Sequence, residues 1–184
     1  MKILLCLILI FPSVLVAQNL WKETVCGMTE QQVLEYFPEA QVPSKPSFIG
    51  TGAEEKLEIE KYRFRNRDFS VHFYFDDLGL AQVSLHILER NNHDALALVA
   101  NELQIELSSI LGEPTKKVEE NDLLRTLDIE WDRQKTKIGI FVLSTGDSDG
   151  ILNLNFQKKK TIGPNQAAHT TPASRSATGL RVWL

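Results

Sequence analysis

Phe69-Ser70-Val71-His72-Phe73-Tyr74-Phe75-Asp76-Asp77-Leu78-Gly79-Leu80-Ala81-Gln82-Val83-Ser84-Leu85-His86-Ile87 alternates apolar and polar residues on both sides of a turn. Period-two alternation predicts two antiparallel strands, each with one buried and one wet face. Setting Phe73 against Val83 leaves Asp77-Leu78-Gly79 as a three-residue loop, with glycine where a left-handed bulge residue is needed. Upstream, Tyr62/Phe64 supply a third strand; Phe64 against Phe69 and Tyr62 against Val71 leave Asn66-Arg67 as the hairpin loop. The pattern recurs downstream in Leu127/Ile129/Trp131, Ile138/Ile140/Val142 and Leu152/Leu154/Phe156. Trp131 against Ile138 and Ile129 against Ile140 leave Gln134-Lys135, a loop of the same size.

A helix precedes each triplet. Thr29-Glu30-Gln31-Gln32 forms a capping box, Val33, Tyr36 and Phe37 share a face, and Phe37-Pro38 ends the turn. Asn92 caps the second helix, whose apolar stripe runs Leu96, Val99, Leu103, Leu107 and Ile110 before Gly112-Glu113-Pro114 stops it. The expected fold is therefore α+β: two tandem helix-plus-three-stranded antiparallel meander units, spanning 18–91 and 92–157. The connection Glu39 to Glu60 is much longer than its counterpart Thr115 to Leu124, leaving room for a functional loop, an extra strand or a helical turn. Residues 158–184, rich in Ala, Ser, Thr and Pro, are expected to be a disordered tail.

Residues 1–17 read as a cleaved signal peptide: Lys2, an apolar run from Ile3 to Phe11, a break at Pro12, and Ala17 at the cut. The run is too short to span a bilayer, and no later stretch is long enough, so no integral membrane span is expected. This places the mature chain in the periplasm or outside the cell. A net charge of −4 argues against a nucleic-acid partner. Cys6 leaves with the leader and Cys26 stands alone, so no internal disulfide is expected; neither follows a small residue at the end of the apolar run, as a lipidated cysteine would. Cys26 reads as a small buried hydrophobe rather than a reactive thiol.

Cys26-Gly27-Met28-Thr29-Glu30-Gln31-Gln32-Val33, followed by a meander with the turn Phe75-Asp76-Asp77-Leu78-Gly79, resembles the SmpA/OmlA (BamE-like) envelope protein module. Tandem copies of such a unit are similar to the β-lactamase-inhibitor-protein fold, and Leu111-Gly112-Glu113-Pro114 with Trp131 matches the "Leu-Gly-x-Pro … Trp" stretch of these modules. The resemblance implies a non-enzymatic envelope protein that works by binding another protein.

The strand registers put Lys61, Arg63, Arg65, Ser70, His72, Tyr74, Gln82, Ser84 and His86 on the wet face of the first sheet. Lys61, Arg63, His72, Tyr74 and His86 are the candidate partner-binding residues, a cationic stripe suited to an acidic partner. His72 opposite Ser84 and His86 opposite Ser70 make the imidazoles diagonal neighbours, but two histidines beside Lys61 and Arg63 predict no metal. Asp147-Ser148-Asp149-Gly150 lacks the later glutamate of a calcium loop and reads as a hairpin turn. Glu54, Glu55, Glu58 and Glu60 read as a solvated acidic segment, and Lys158-Lys159-Lys160 as the end of the last strand, guarding its edge. No nucleophile elbow, zinc-protease helix, Cys/His cluster or phosphate loop occurs, so no enzyme and no cofactor are expected. The expected function is an exported module that binds an envelope or secreted protein. A periplasmic small-ligand or anion carrier and an inhibitor of a secreted hydrolase are the alternatives.

Overall fold

Thr29 opens the first helix as its sequence predicts: Thr29 Oγ1 accepts from Gln32 N at 3.2 Å, and Gln32 Oε1 accepts from Thr29 N at 2.9 Å. The computed structural model describes residues 19–122, 124–145 and 149–159; the expected signal peptide and nearly all of the expected tail lie outside them. Helix α1 (Glu30–Tyr36) has only seven residues, because the residue before Pro38 is driven out of helical geometry and Phe37 adopts φ −130°, ψ 72°. Val33 and Phe37 are buried, while Tyr36, expected on the same face, is exposed.

Strands β1 (Glu54–Phe64), β2 (Arg67–Asp76) and β3 (Gly79–Ile87) follow, then helix α2 (His93–Leu111) and strands β4 (Lys116–Asn121), β5 (Arg125–Asp132), β6 (Thr136–Ser144) and β7 (Gly150–Lys158). They do not form two tandem units. All seven strands join in one antiparallel sheet ordered β1-β2-β3-β7-β6-β5-β4, which corrects the expected pair of helix-plus-three-strand meanders. The physical reason lies at the seam, where Val83 opposes Phe156 and Leu85 opposes Leu154. Pairing β3 with β7 removes two edges that would otherwise carry unsatisfied backbone groups, and it merges two half-sized apolar faces. The last strand is consequently central, so Lys158 and Lys159 guard no edge; Lys158 lies 4.0 Å from Asp76 and Lys159 pairs with Asp132. Strand β4 was expected to be a connection; all six of its residues are exposed.

One core cluster fills the helix side of the sheet. Leu96, Val99, Ala100 and Leu103 of α2 pack over the β5–β7 half, whereas Leu107 is only partly buried and Ile110 is 73% exposed, so the expected stripe ends early. Over the other half, α1 is too short to cover three strands alone. Leu20, Trp21, Phe37 and Ala40 complete the layer, with Trp21 stacked on Phe37 at 5.3 Å between ring centroids. Trp131 is buried in β5, and its indole donates to Gly112 O at 2.9 Å, tying the end of α2 to the sheet.

Most registers match the reading of the sequence: Phe73 opposes Val83, Trp131 opposes Ile138 and Ile129 opposes Ile140. The β2–β3 turn is tighter than expected, Asp77-Leu78 rather than Asp77-Leu78-Gly79, because the register shifts between Tyr74 and Phe75 and Asp76 opposes Gly79. The first hairpin also differs. Tyr62 opposes Phe69 and Phe64 opposes Arg67, so the turn is Arg65-Asn66, both with positive φ, and the register breaks between Ile59 and Tyr62. A two-residue shift keeps Tyr62 and Phe64 on the core side and Lys61 and Arg63 on the outer face, but it moves Arg65 into the turn.

The two segments that carry the family resemblance meet in space. Gly27 N donates to Leu80 O at 2.9 Å, and Leu80 N donates to Met28 O at 2.8 Å. Gly79, at φ +100°, lies so close that an added Cβ would stand 2.5 Å from Gly27 O. Glycine is required there by conformation and by contact alike. Cys26 packs beside the core but is only partly buried, less than expected, and that burial raises the pKa of its thiol.

Candidate functional site on the outer sheet face

Because α1, α2 and the N-terminal segment all lie on one side, the other side of the sheet carries the polar members of each alternation. Strands β1 to β3 place Glu55, Glu58, His72 and His86 there, in adjoining cross-strand positions. Strands β5 to β7 present Asp128, Glu130, Lys137, Phe141, Asn155 and Gln157 around a hollow of about 120 Å³ centred on Gly139.

The expected cationic stripe takes a different form. Lys61 and Arg63 are exposed, and both engage Asp68, at 3.0 and 2.9 Å. Hydrogen bonds from Lys61 and then Arg63 hold the Asp68 carboxyl below the usual carboxylate range. Arg65 sits in the turn and bonds Glu106 of α2 at 2.6 Å. The centre of the face is not wet, as had been expected: Tyr74, Gln82 and Ser84 are buried. Tyr74 packs with Ile49, Ala53 and Ala81 under the loop before β1, its hydroxyl 3.1 Å from Ser47 Oγ, and burial pushes its pKa up.

The two imidazoles are diagonal neighbours, with His72 opposite Ser84 and His86 opposite Ser70. Their rings lie 4.4 Å apart between centroids at 33°. His72 Nδ1 is 2.5 Å from Glu55 Oε1, and its Nε2 is 2.8 Å from Ser70 Oγ. Burial first, and the neighbouring His72 second, push His86 down to about 4, which makes it neutral at pH 7. Of the five residues proposed from sequence, His72 and His86 therefore meet, Lys61 and Arg63 form a separate pair on Asp68, and Tyr74 lies beneath the surface.

Sequence reasoning missed Glu55 as a member of this site. It is only 4% exposed, and Ser47 donates to its Oε2 from both N (3.2 Å) and Oγ (2.6 Å). The expectation of a solvated acidic segment fails here because β1 begins at Glu54, and the preceding loop crosses the face to meet it. The alternation of Leu57 and Ile59 with Glu58 was the available signal. Glu55, Glu58 and His72 each offer a ligand atom, all within 4.8 Å of one another. Asp147 and Ser148 lie outside the described residues.

A second concavity, about 690 Å³ and open, lies between α1, the loop before β1 and the β2–β3 turn, where Glu30, Glu54, Asp76 and Asp77 surround Phe48 and Phe75. Among the described residues, no helix is long and apolar enough to cross a membrane. No family model, curated protein or solved structure matches the chain.

Proposed function

We propose that this protein is an exported, non-catalytic module that binds another envelope or secreted protein through the outer face of its sheet. The observation that carries the reading is the one-sided coverage of the β5–β7 half of the sheet, where α2 packs on one face only. Every outward residue of β6 and β7 keeps some exposure, from Lys137 to Leu143 and from Ile151 to Gln157. This surface mixes the apolar Phe141 and Ile151 with the amides Asn153, Asn155 and Gln157, a composition that can bury area while keeping its hydrogen bonds. The resemblance to the SmpA/OmlA module supports the same class of function, and so does the leader that sequence predicts.

The test is a photo-crosslinking residue introduced at Phe141 or Asn155, compared with one at Leu98, which is exposed on α2. The outer-face positions should give a discrete protein adduct in cells and the Leu98 position none. Gly139→Lys should abolish the adduct without unfolding the chain, because a Cβ at Gly139 would meet nothing nearer than Ile129 O at 3.7 Å. Adducts from Leu98 alone, or adducts unaffected by Gly139→Lys, would defeat the proposal.

A further inference from the structure

We propose that Glu55, Glu58 and His72 form a binding site for a divalent first-row cation of the Zn²⁺ class on the outer face of β1 and β2. The inference stands apart from the protein-binding reading and rests on how the backbone brings these side chains together. In a regular strand, residues three apart point to opposite faces. Here the register shifts between Glu55 and Leu57, so Lys56 is an extra residue, and Glu55 and Glu58 emerge on the same side. Bulges of this kind re-aim side chains beside functional sites. Glu58 then lies directly opposite His72, while Glu55 opposes Tyr74 one step along the same face.

The donor set selects the ion. Two carboxylates and one imidazole suit Zn²⁺ and its neighbours, which bind such donors at roughly 2.0–2.2 Å. The donor atoms lie within 4.8 Å of one another, and a bound cation would take the place of the proton that His72 Nδ1 and Glu55 Oε1 share at 2.5 Å. Ca²⁺ needs about six to eight oxygens, which this set does not supply. The cations that argued against a metal, Lys61 and Arg63, are held on Asp68. Glu55 is buried and anchored by Ser47, so a cation here would pin β1, β2 and the covering loop together, with water completing its coordination.

Isothermal titration of the purified, chelator-treated protein with Zn²⁺ alone should show one saturable site per chain. Co²⁺ should give a visible absorption band from the same site. Loss of a ligand should cost at least what loss of its supporting partner costs, so Glu58→Gln and His72→Gln should each weaken binding by roughly tenfold or more. Glu60→Gln, which removes an exposed carboxylate of the same strand but no ligand, should leave both stoichiometry and affinity unchanged. Glu58→Gln preserves volume at a half-buried position, so it remains decisive if His72→Gln fails to fold. Absence of saturable Zn²⁺ binding by the wild type, or undiminished binding by Glu58→Gln, would overturn the assignment.

Discussion

Gly79→Ala should destabilise the protein far more than Gly52→Ala, a change at another surface turn. Gly79 has φ +100°, and an added Cβ would stand 2.5 Å from Gly27 O, 2.7 Å from Gly27 C and 2.8 Å from Met28 O. All three obstacles are backbone atoms, so no side-chain rotation relieves them. The backbone conformation alone costs roughly 1–3 kcal/mol for a non-glycine residue. Pushing the Gly27–Met28 segment away also breaks the two bonds that join it to Leu80, about 1 kcal/mol each. Together these give about 3–5 kcal/mol, which for a urea slope of roughly 1–3 kcal/mol/M lowers the midpoint by at least about 1 M. Gly52→Ala is the matched control, with φ +90° but nothing within 4 Å of the new Cβ, so it should lose only the conformational part. Urea unfolding followed by circular dichroism measures both. Equal midpoint shifts would refute the claim that Gly79 is constrained by contact with the Gly27-Met28 segment.

Three further outcomes follow from single side chains. His86 takes up its proton near 4 in the folded chain but near the ordinary 6.5 when unfolded. Its contribution is thus complete above pH 6.5 and is lost as pH falls toward 4, by at most about 3 kcal/mol; urea midpoints should fall more steeply across that interval for the wild type than for His86→Gln, and parallel profiles would contradict this. His93 is 2% exposed, and neither ring nitrogen meets a hydrogen-bond partner among the described residues, so His93→Phe should be neutral or stabilise by about 1 kcal/mol, whereas a clear fall in midpoint would reveal a partner. Trp131→Phe removes the bond to Gly112 O and part of a buried ring, and calorimetry should record a loss of about 1–3 kcal/mol; an unchanged Tm would show that the indole is not an anchor.

Strong local periodicity made much of the molecule legible. Phe73 against Val83 and Ile129 against Ile140 followed from alternation, and so did the meeting of His72 with His86. The start of β1 was hidden because its register breaks at Lys56 and again between Ile59 and Tyr62, and because charged residues dominate Glu54 to Lys61. Glu55 was missed for the same reason, since an unbulged count sends it to the other face from Glu58. Strand β4, Lys116-Lys117-Val118-Glu119-Glu120-Asn121, has one apolar residue and buries none, so it carries no alternation to read. The fusion of the halves depends on Val83 finding Phe156, a pairing remote in sequence that no local pattern announces.

The junction between β3 and β7 decides whether one broad sheet face exists at all. Through-hydrogen-bond scalar couplings measured by NMR across that junction test it most directly. The single-sheet account predicts couplings linking residues 82–86 to residues 153–157, with amides there among the slowest to exchange. Absence of those couplings, with both strands exchanging like solvent-exposed edges, would contradict it and return the chain to two separate meanders.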